Sequence, residues 1–375
     1  MGKLTTTRKL LLATLVVGLL VGCDDKDKDS SKSASEPPKV VESVNTSNAS
    51  PTAEENLTAQ EAAKGNLWLD VFNNESTIDM KGADGKKFGG MTLLTQITQV
   101  PNRVKKYIEI SDNNGKFTLK KIRAKENTLD TFFTMTAFGP LGKVSSDEIE
   151  KYRSITNAIK NMKPAMPDID KAGTEYVESV IGMSNAFDQL IDYYKTSEEF
   201  KLDDFKKSPQ LHKVIAEAYE KYVVASENAK LAHNNLYQQL HVKEMATLKA
   251  KGFDSMLVVY ESVDRVSDIF DGLVDDYNKN SSLKKSDKAA YEAKSKLIED
   301  AVVALKKAKE KPATLAKEGL AEGKLNDYIE ALNAYSIATK VTIRDMGKNK
   351  DEDLLNDLQN KQFSVIECYN SIVQD

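Results

Sequence analysis

From Glu54 onward, apolar residues recur every three to four positions, the period of an α-helix with one buried face. Leu57, Ala62, Ala63, Leu67, Trp68, Val71 and Phe72 share a stripe that ends near Asn73-Asn74. A second predicted helix carries Ile149, Tyr152, Ile155, Ile159 and Met162 and stops before Pro164 and Pro167. A longer amphipathic face follows with Tyr176, Val177, Val180, Ile181, Phe187, Leu190, Ile191 and Tyr194. After a polar loop near Thr196–Ser208, Pro209 opens a helix through Leu211, Ile215, Tyr219, Tyr222, Ala229, Leu236 and Leu240, and Gly252 breaks it. Four more stripes run through Met256–Tyr277, Leu297–Leu305, Leu325–Met346 and Leu355–Ile372. Eight or nine helices joined by short polar loops predict an all-α fold, an elongated multi-helix bundle. Residues 80–142 break the pattern, and two readings stay open there. One is helix plus irregular structure, because Met91–Ile108 has helical spacing. The other is a small β-hairpin built from Lys116–Arg123 and Thr131–Phe138.

The first fifty residues follow different rules. Lys3, Arg8 and Lys9 precede an apolar run from Leu10 to Leu20, well short of the roughly 20 residues a helix needs to cross a bilayer. This predicts a secretory signal rather than a membrane span. The signal ends in Leu20-Val21-Gly22-Cys23, which resembles the lipobox of bacterial lipoproteins. That resemblance implies cleavage between Gly22 and Cys23 and acylation of Cys23. Asp24 and Asp25 follow directly, the pattern that retains such lipoproteins at the inner membrane in enteric bacteria. The expected location is therefore the periplasmic face of the inner membrane, with the outer membrane or cell surface as the alternative. Residues 24–52 are rich in Ser, Lys, Asp, Asn and Pro and nearly lack large apolar side chains, so they read as a disordered tether. About 29 such residues give an r.m.s. reach near 30 Å. The expected organisation is a signal peptide at 1–23, a tether at 24–52 and a helical body at 53–375.

Composition narrows the function classes. The chain carries 53 Lys plus Arg against 57 Asp plus Glu, a formal charge of −4, and loss of residues 1–23 removes three positive charges and no negative one. An acidic body has no long-range attraction for nucleic acid or anionic lipid, so membrane attachment would rest on the acyl chains. With 2 Cys, one of them in the lipobox, a disulfide framework is excluded, and Cys368 reads as a half-buried core residue. His212, His233 and His241 have no His or Glu at metal-ligand spacing, so neither a metal site nor a cofactor is expected. His212, at the start of a long helix, is the histidine singled out for a functional role. No Gly-x-Ser-x-Gly or phosphate-loop motif occurs, and carboxylate pairs such as Glu198-Glu199 lie in polar loops, so no catalytic residue is nominated and a non-enzyme is expected. Tyr219, Tyr222, Tyr260 and Tyr277 sit on helical stripes and form a candidate groove for a small molecule, peptide or glycan; tyrosine packing at helix edges is the competing explanation.

Several residue groups together resemble the YiiG-like bacterial lipoproteins, a family of unknown function. They are Cys23-Asp24-Asp25-Lys26, Trp68-Leu-Asp-Val-Phe-Asn73, Tyr193-Tyr194-Lys195, Phe200-Lys-Leu-Asp-Asp-Phe205, Leu211-His212 and Glu367-Cys-Tyr-Asn370. The likeness is strongest over 168–250 and implies a helical envelope lipoprotein without supplying a reaction. The expected function is a lipid-anchored interaction or scaffold module with an envelope protein partner. Carriage of a ligand in the tyrosine groove is the alternative.

Overall fold

The computed structural model describes residues 52–75, 77–78, 92–94, 96–111, 143–348 and 350–373. The signal peptide, Gly22, Cys23, Asp24, Asp25, the tether, and the hairpin strands proposed at 116–123 and 131–138 lie outside the described residues. Among the described residues the protein is all-α apart from one two-residue antiparallel ladder, β1 (Thr77–Ile78) with β2 (Thr92–Leu93). The helices are α1 (Ala53–Phe72), α2 (Val100–Ser111), α3 (Ser146–Asn161), α4 (Pro167–Ile191), α5 (Glu199–Asp203), α6 (Ser208–Lys251), α7 (Asp254–Asn280), α8 (Lys288–Ala308), α9 (Pro312–Lys317), α10 (Glu322–Asp345) and α11 (Asp351–Val373). The body divides into two compact units, one at Leu57–Lys243 and one that includes Glu244–Asp375.

Local chemistry sets the ends of these helices. Thr52 and Glu55 cap α1 reciprocally, the Glu55 N–H donating to Thr52 Oγ1 at 3.2 Å and the Thr52 N–H to Glu55 Oε2 at 2.8 Å. Ser145 caps α3 by accepting from the Glu148 N–H at 3.2 Å. The Glu148 carboxylate turns away and accepts from the N–H groups of Gln96 and Ile97, at 2.7 and 3.0 Å, where a short 3₁₀ turn leads into α2. Pro167 occupies the first position of α4, where its missing N–H costs nothing. The left-handed Gly252, φ 65°, ends α6 as its sequence position predicts.

The 57–243 unit packs α2 and α3 against α4, around a core that includes Trp68, Val104, Tyr152, Ile159, Tyr176, Val180 and Phe187. Glycine is required at position 173, because a Cβ there would overlap the Trp68 ring. The second unit is a four-helix arrangement in which α8 and α11 each pack against both α7 and α10. The Tyr328 hydroxyl donates to the Val259 carbonyl at 3.0 Å and that of Tyr335 to the Val266 carbonyl at 2.8 Å. Donors and acceptors are both offset by seven residues, so the same bond recurs two turns further along a parallel pair of helices. Asp351 closes one end of the bundle, its carboxylate accepting from the N–H groups of Leu283 and Gly347 at 2.8 Å each.

Candidate interaction site

The polar loop expected at 196–208 is a compact knot. As α4 ends, the chain widens into a π-turn over Asp192–Thr196, closed by Ser197 N–H donating to the Asp192 carbonyl at 2.8 Å. Glu198 then takes a left-handed conformation, φ 48°, the five-residue α5 follows, and Asp204 and Phe205 are left-handed as well, with φ 51° and 63°. Left-handed backbone costs of order 1–3 kcal/mol per non-glycine residue and persists only where the surroundings impose it. Here an aromatic cluster imposes it. The Phe200 ring lies 5.1 Å from Phe205 and 5.7 Å from Tyr194, which meets Tyr193 edge-on at 4.8 Å.

Hydrogen bonds lock the same turn. The Tyr193 hydroxyl donates to Asp203 Oδ1 at 2.6 Å, the Tyr194 hydroxyl to Ser208 Oγ at 2.7 Å, and the Lys207 N–H to Asp203 Oδ2 at 3.1 Å. Burial pushes the Tyr193 phenol up, helped by the Asp203 carboxylate, and burial pushes Tyr194 up to about 12. Both hydroxyls therefore stay protonated donors. Burial alone would raise Asp203, but the bonds from Tyr193 and from main-chain N–H groups outweigh it and hold that carboxyl below its ordinary value. All of this fixes one side chain in water: Leu202, in α5, is 87% exposed and flanked by the charges of Lys201 and Asp203.

The next helix carries a second apolar feature. Val224, Leu231 and Val242 on α6 are 58%, 60% and 67% exposed. Separations of seven and eleven residues place them within about 20° of one line along the helix, a stripe roughly 27 Å long. Single exposed apolar residues need no explanation, but three in line on one helix do.

The residues nominated from the sequence fall in several places. His212 is half-buried, its ring 5.9 Å from Tyr107, with Nδ1 at 3.2 Å from Ser111 Oγ. Ser111 Oγ also donates to the Tyr107 carbonyl at 2.8 Å. These contacts make His212 a fastener between α6 and the end of α2. Tyr219 and Tyr222 lie side by side at 6.1 Å, and Tyr222 leans on the buried Tyr176 at 5.7 Å. Tyr260 is interior to the second unit, 1% exposed and edge-on to Tyr369 at 5.3 Å. Tyr277 is half-buried near the end of α7. Cys368 is half-buried, and burial raises its thiol, followed by the carboxylates of Asp327 and Glu367.

Two buried features had no place in the sequence reading. Lys64 is 0% exposed, and its ammonium donates to the carbonyls of Lys160, Met162 and Pro164 at 3.0–3.1 Å and to Asp170 Oδ2 at 2.8 Å. The other Asp170 oxygen accepts from the Trp68 indole at 2.9 Å, and Oδ2 also from the Met166 N–H at 3.0 Å. The signal was present in the sequence, because Lys64 precedes Leu67 and Trp68 by three and four residues and so shares their buried face. The second feature is a pair of buried ionisable groups on α6. His233 is pushed down to about 4 and Glu244 up to about 8, both by burial. Among the described residues no group of three or more His, Cys, Asp or Glu is placed to hold a metal ion, and no helix is long and apolar enough to cross a membrane.

Comparison with known proteins gives a family and no activity. "Uncharacterized protein YiiG" of Escherichia coli (strain K12) is 22% identical over 116 residues, 31% of this chain and 32% of that protein. The match thus spans about a third of the relative's length. No solved structure matches. The model of the family described as "Protein of unknown function (DUF3829)" matches residues 115–371, which contain the knot, α6 and the four-helix unit. The chain therefore belongs to the DUF3829 family.

Proposed function

We propose that the protein is a non-enzymatic interaction module of the bacterial envelope, anchored by acyl chains on Cys23 and docking a partner protein through the knot and the exposed stripe of α6. The carrying observation is Leu202, held 87% exposed at a turn whose left-handed residues are costly and whose aromatic side chains are all packed. The partner chemistry is an apolar pocket or helix face with polar edges, since charges border Leu202, and Asn228 and Gln238 border the α6 stripe. A ligand groove formed by the four tyrosines has less support, because Tyr260 is interior and Tyr222 packs on Tyr176.

The anchor and the tether follow from the N-terminal sequence alone. On this proposal the body works at the periplasmic face of the inner membrane, within roughly 30 Å of it. The test is affinity capture of the tagged full chain from detergent-solubilised envelopes, compared with Leu202→Asp and Leu231→Asp. The reading expects one envelope protein to be enriched with the wild type and reduced at least about tenfold by each charge, since a buried apolar anchor carries a large share of interface energy. Equal recovery with all three chains would refute it. Labelling with palmitate tests the anchor separately, with incorporation expected in the wild type and lost in Cys23→Ala.

A further inference from the structure

The loop that joins α3 to α4 borders an open cavity of about 590 Å³, a size that suits a small molecule. Lys160, Lys163 and Lys171 line it, and the floor is Asp170, held from beneath by the buried Lys64. The acid side is thinner. Asp170 is consumed by Lys64 and the Trp68 indole, and Glu175 reaches only Lys171, at 4.0 Å. Lys160 and Lys163 have no ion-pair partner among the described residues, although the chain as a whole is acidic. Their backbone is fixed as well, because the carbonyls of Lys160, Met162 and Pro164 all accept from Lys64. The cavity also offers neutral hydrogen-bonding groups. The Thr174 hydroxyl gives its proton to the Asp170 carbonyl at 2.7 Å and keeps its acceptor lone pairs, and the Asn161 amide is exposed.

We infer that this cavity binds a hydroxyl-bearing phosphate monoester. Two unpaired ammonium groups on one rim match a dianion, and lysines hold phosphate as point charges. The Thr174 and Asn161 groups suit the hydroxyls of a small polyol. The same chemistry is offered by a soluble sugar or glycerol phosphate and by the headgroup of a lysophosphatidic acid, which keeps one free hydroxyl beside its phosphate. Since a phosphomonoester takes its second charge with a pKa near 6, binding tightens as pH rises through that value and weakens with salt.

The test is calorimetric titration of the purified full chain with glycerol 3-phosphate and, separately, with hexanoyl lysophosphatidic acid below its micelle concentration. The expected result is one site per chain, with affinity lowered about tenfold or more in Lys160→Glu/Lys163→Glu and unchanged in Lys221→Glu on α6. Both lysines are exposed, and the bond of Lys160 to Lys64 uses its backbone carbonyl, so the fold survives, as Trp68 fluorescence would verify; Lys160→Gln/Lys163→Gln gives the same answer with less charge change. Binding of the lipid alone, with the same lysine dependence, supports the site and assigns it to a headgroup. Failure of both ligands to saturate below about 10 mM, or equal binding by wild type and the double variants, overturns the inference.

Discussion

In the four-helix unit the bonds that repeat between facing helices are neutral, Tyr328 and Tyr335 donating to carbonyls seven residues apart, and the buried carboxylates of Glu318 and Asp351 accept from main-chain N–H groups. In the 57–243 unit the corresponding element is a full ion pair, Lys64 with Asp170, which also holds the α3–α4 connection and the Trp68 indole. The first arrangement loses one modest bond when a hydroxyl is removed. The second leaves a charge stranded in the core when either partner goes. The same contrast separates the turns. Two helices of the bundle unit end on glycines, Gly319 and Gly347, both with φ 76°, and α7 ends on the single left-handed Ser281, φ 53°, whereas the knot crowds Glu198, Asp204 and Phe205 into that conformation. One region is arranged for regular packing, and the other spends stability on holding particular groups in place.

The largest expected effect follows from the ion pair. Asp170→Ala should cost about 3–5 kcal/mol, because the Lys64 ammonium stays buried without its counter-charge. Replacing both, as in Lys64→Met/Asp170→Leu, should recover much of the loss. Trp68 is the only Trp and is fully buried beside the pair, so its fluorescence in a urea titration reports this region directly. A cost below about 1 kcal/mol for the single variant would erase the contrast.

Next comes pH. Glu244 is buried with its carboxyl pushed up to about 8. The folded chain then binds a proton that the unfolded chain releases near the ordinary Glu value, so this contribution is present in acid and is lost as pH rises toward 8. Glu244→Gln should therefore raise Tm at pH 8.5, by an amount equivalent to roughly 2–4 kcal/mol, and leave it nearly unchanged at pH 4. His233 has the opposite sign. Pushed down to about 4, it withdraws stability as pH falls below about 6.5.

Smaller effects sharpen the comparison. Tyr335→Phe removes one hydroxyl from the bundle and should cost about 1 kcal/mol by thermal denaturation, several-fold less than Asp170→Ala. Glu198→Gly should stabilise by about 0.5–1 kcal/mol, since glycine relieves the left-handed strain at the cost of one exposed pair with Lys201. A destabilising result there would mean that the knot is not strained at that position.

How much of this was legible depended on whether a feature follows the helical period. The helix from Pro209 to Gly252, the break at Pro164–Pro167 and the stripes of the second unit obey that period and are found in the fold. The stretch 196–208 does not, because a π-turn and three left-handed residues shift the register, so Phe200 and Phe205 fall in what reads as a polar loop. Leu202 is one apolar residue among charges, and no pattern marks it until the turn is seen to display it. Periodicity placed Tyr260 on an apolar face, and only tertiary packing shows that this face meets Tyr369 rather than a ligand groove. Lys64 was hidden by its charge, although its spacing to Trp68 put it on the buried side.

The docking role proposed for Leu202 is open to a direct test in cells. A photo-crosslinking amino acid is placed at 202, with another at the exposed Ile337 on α10 as the control. Docking through Leu202 predicts one identified envelope protein crosslinked from 202, absent from 337, and lost when Leu231→Asp is introduced into the same chain. Crosslinks from 202 that match those from 337, or that persist unchanged with Leu231→Asp, would contradict it.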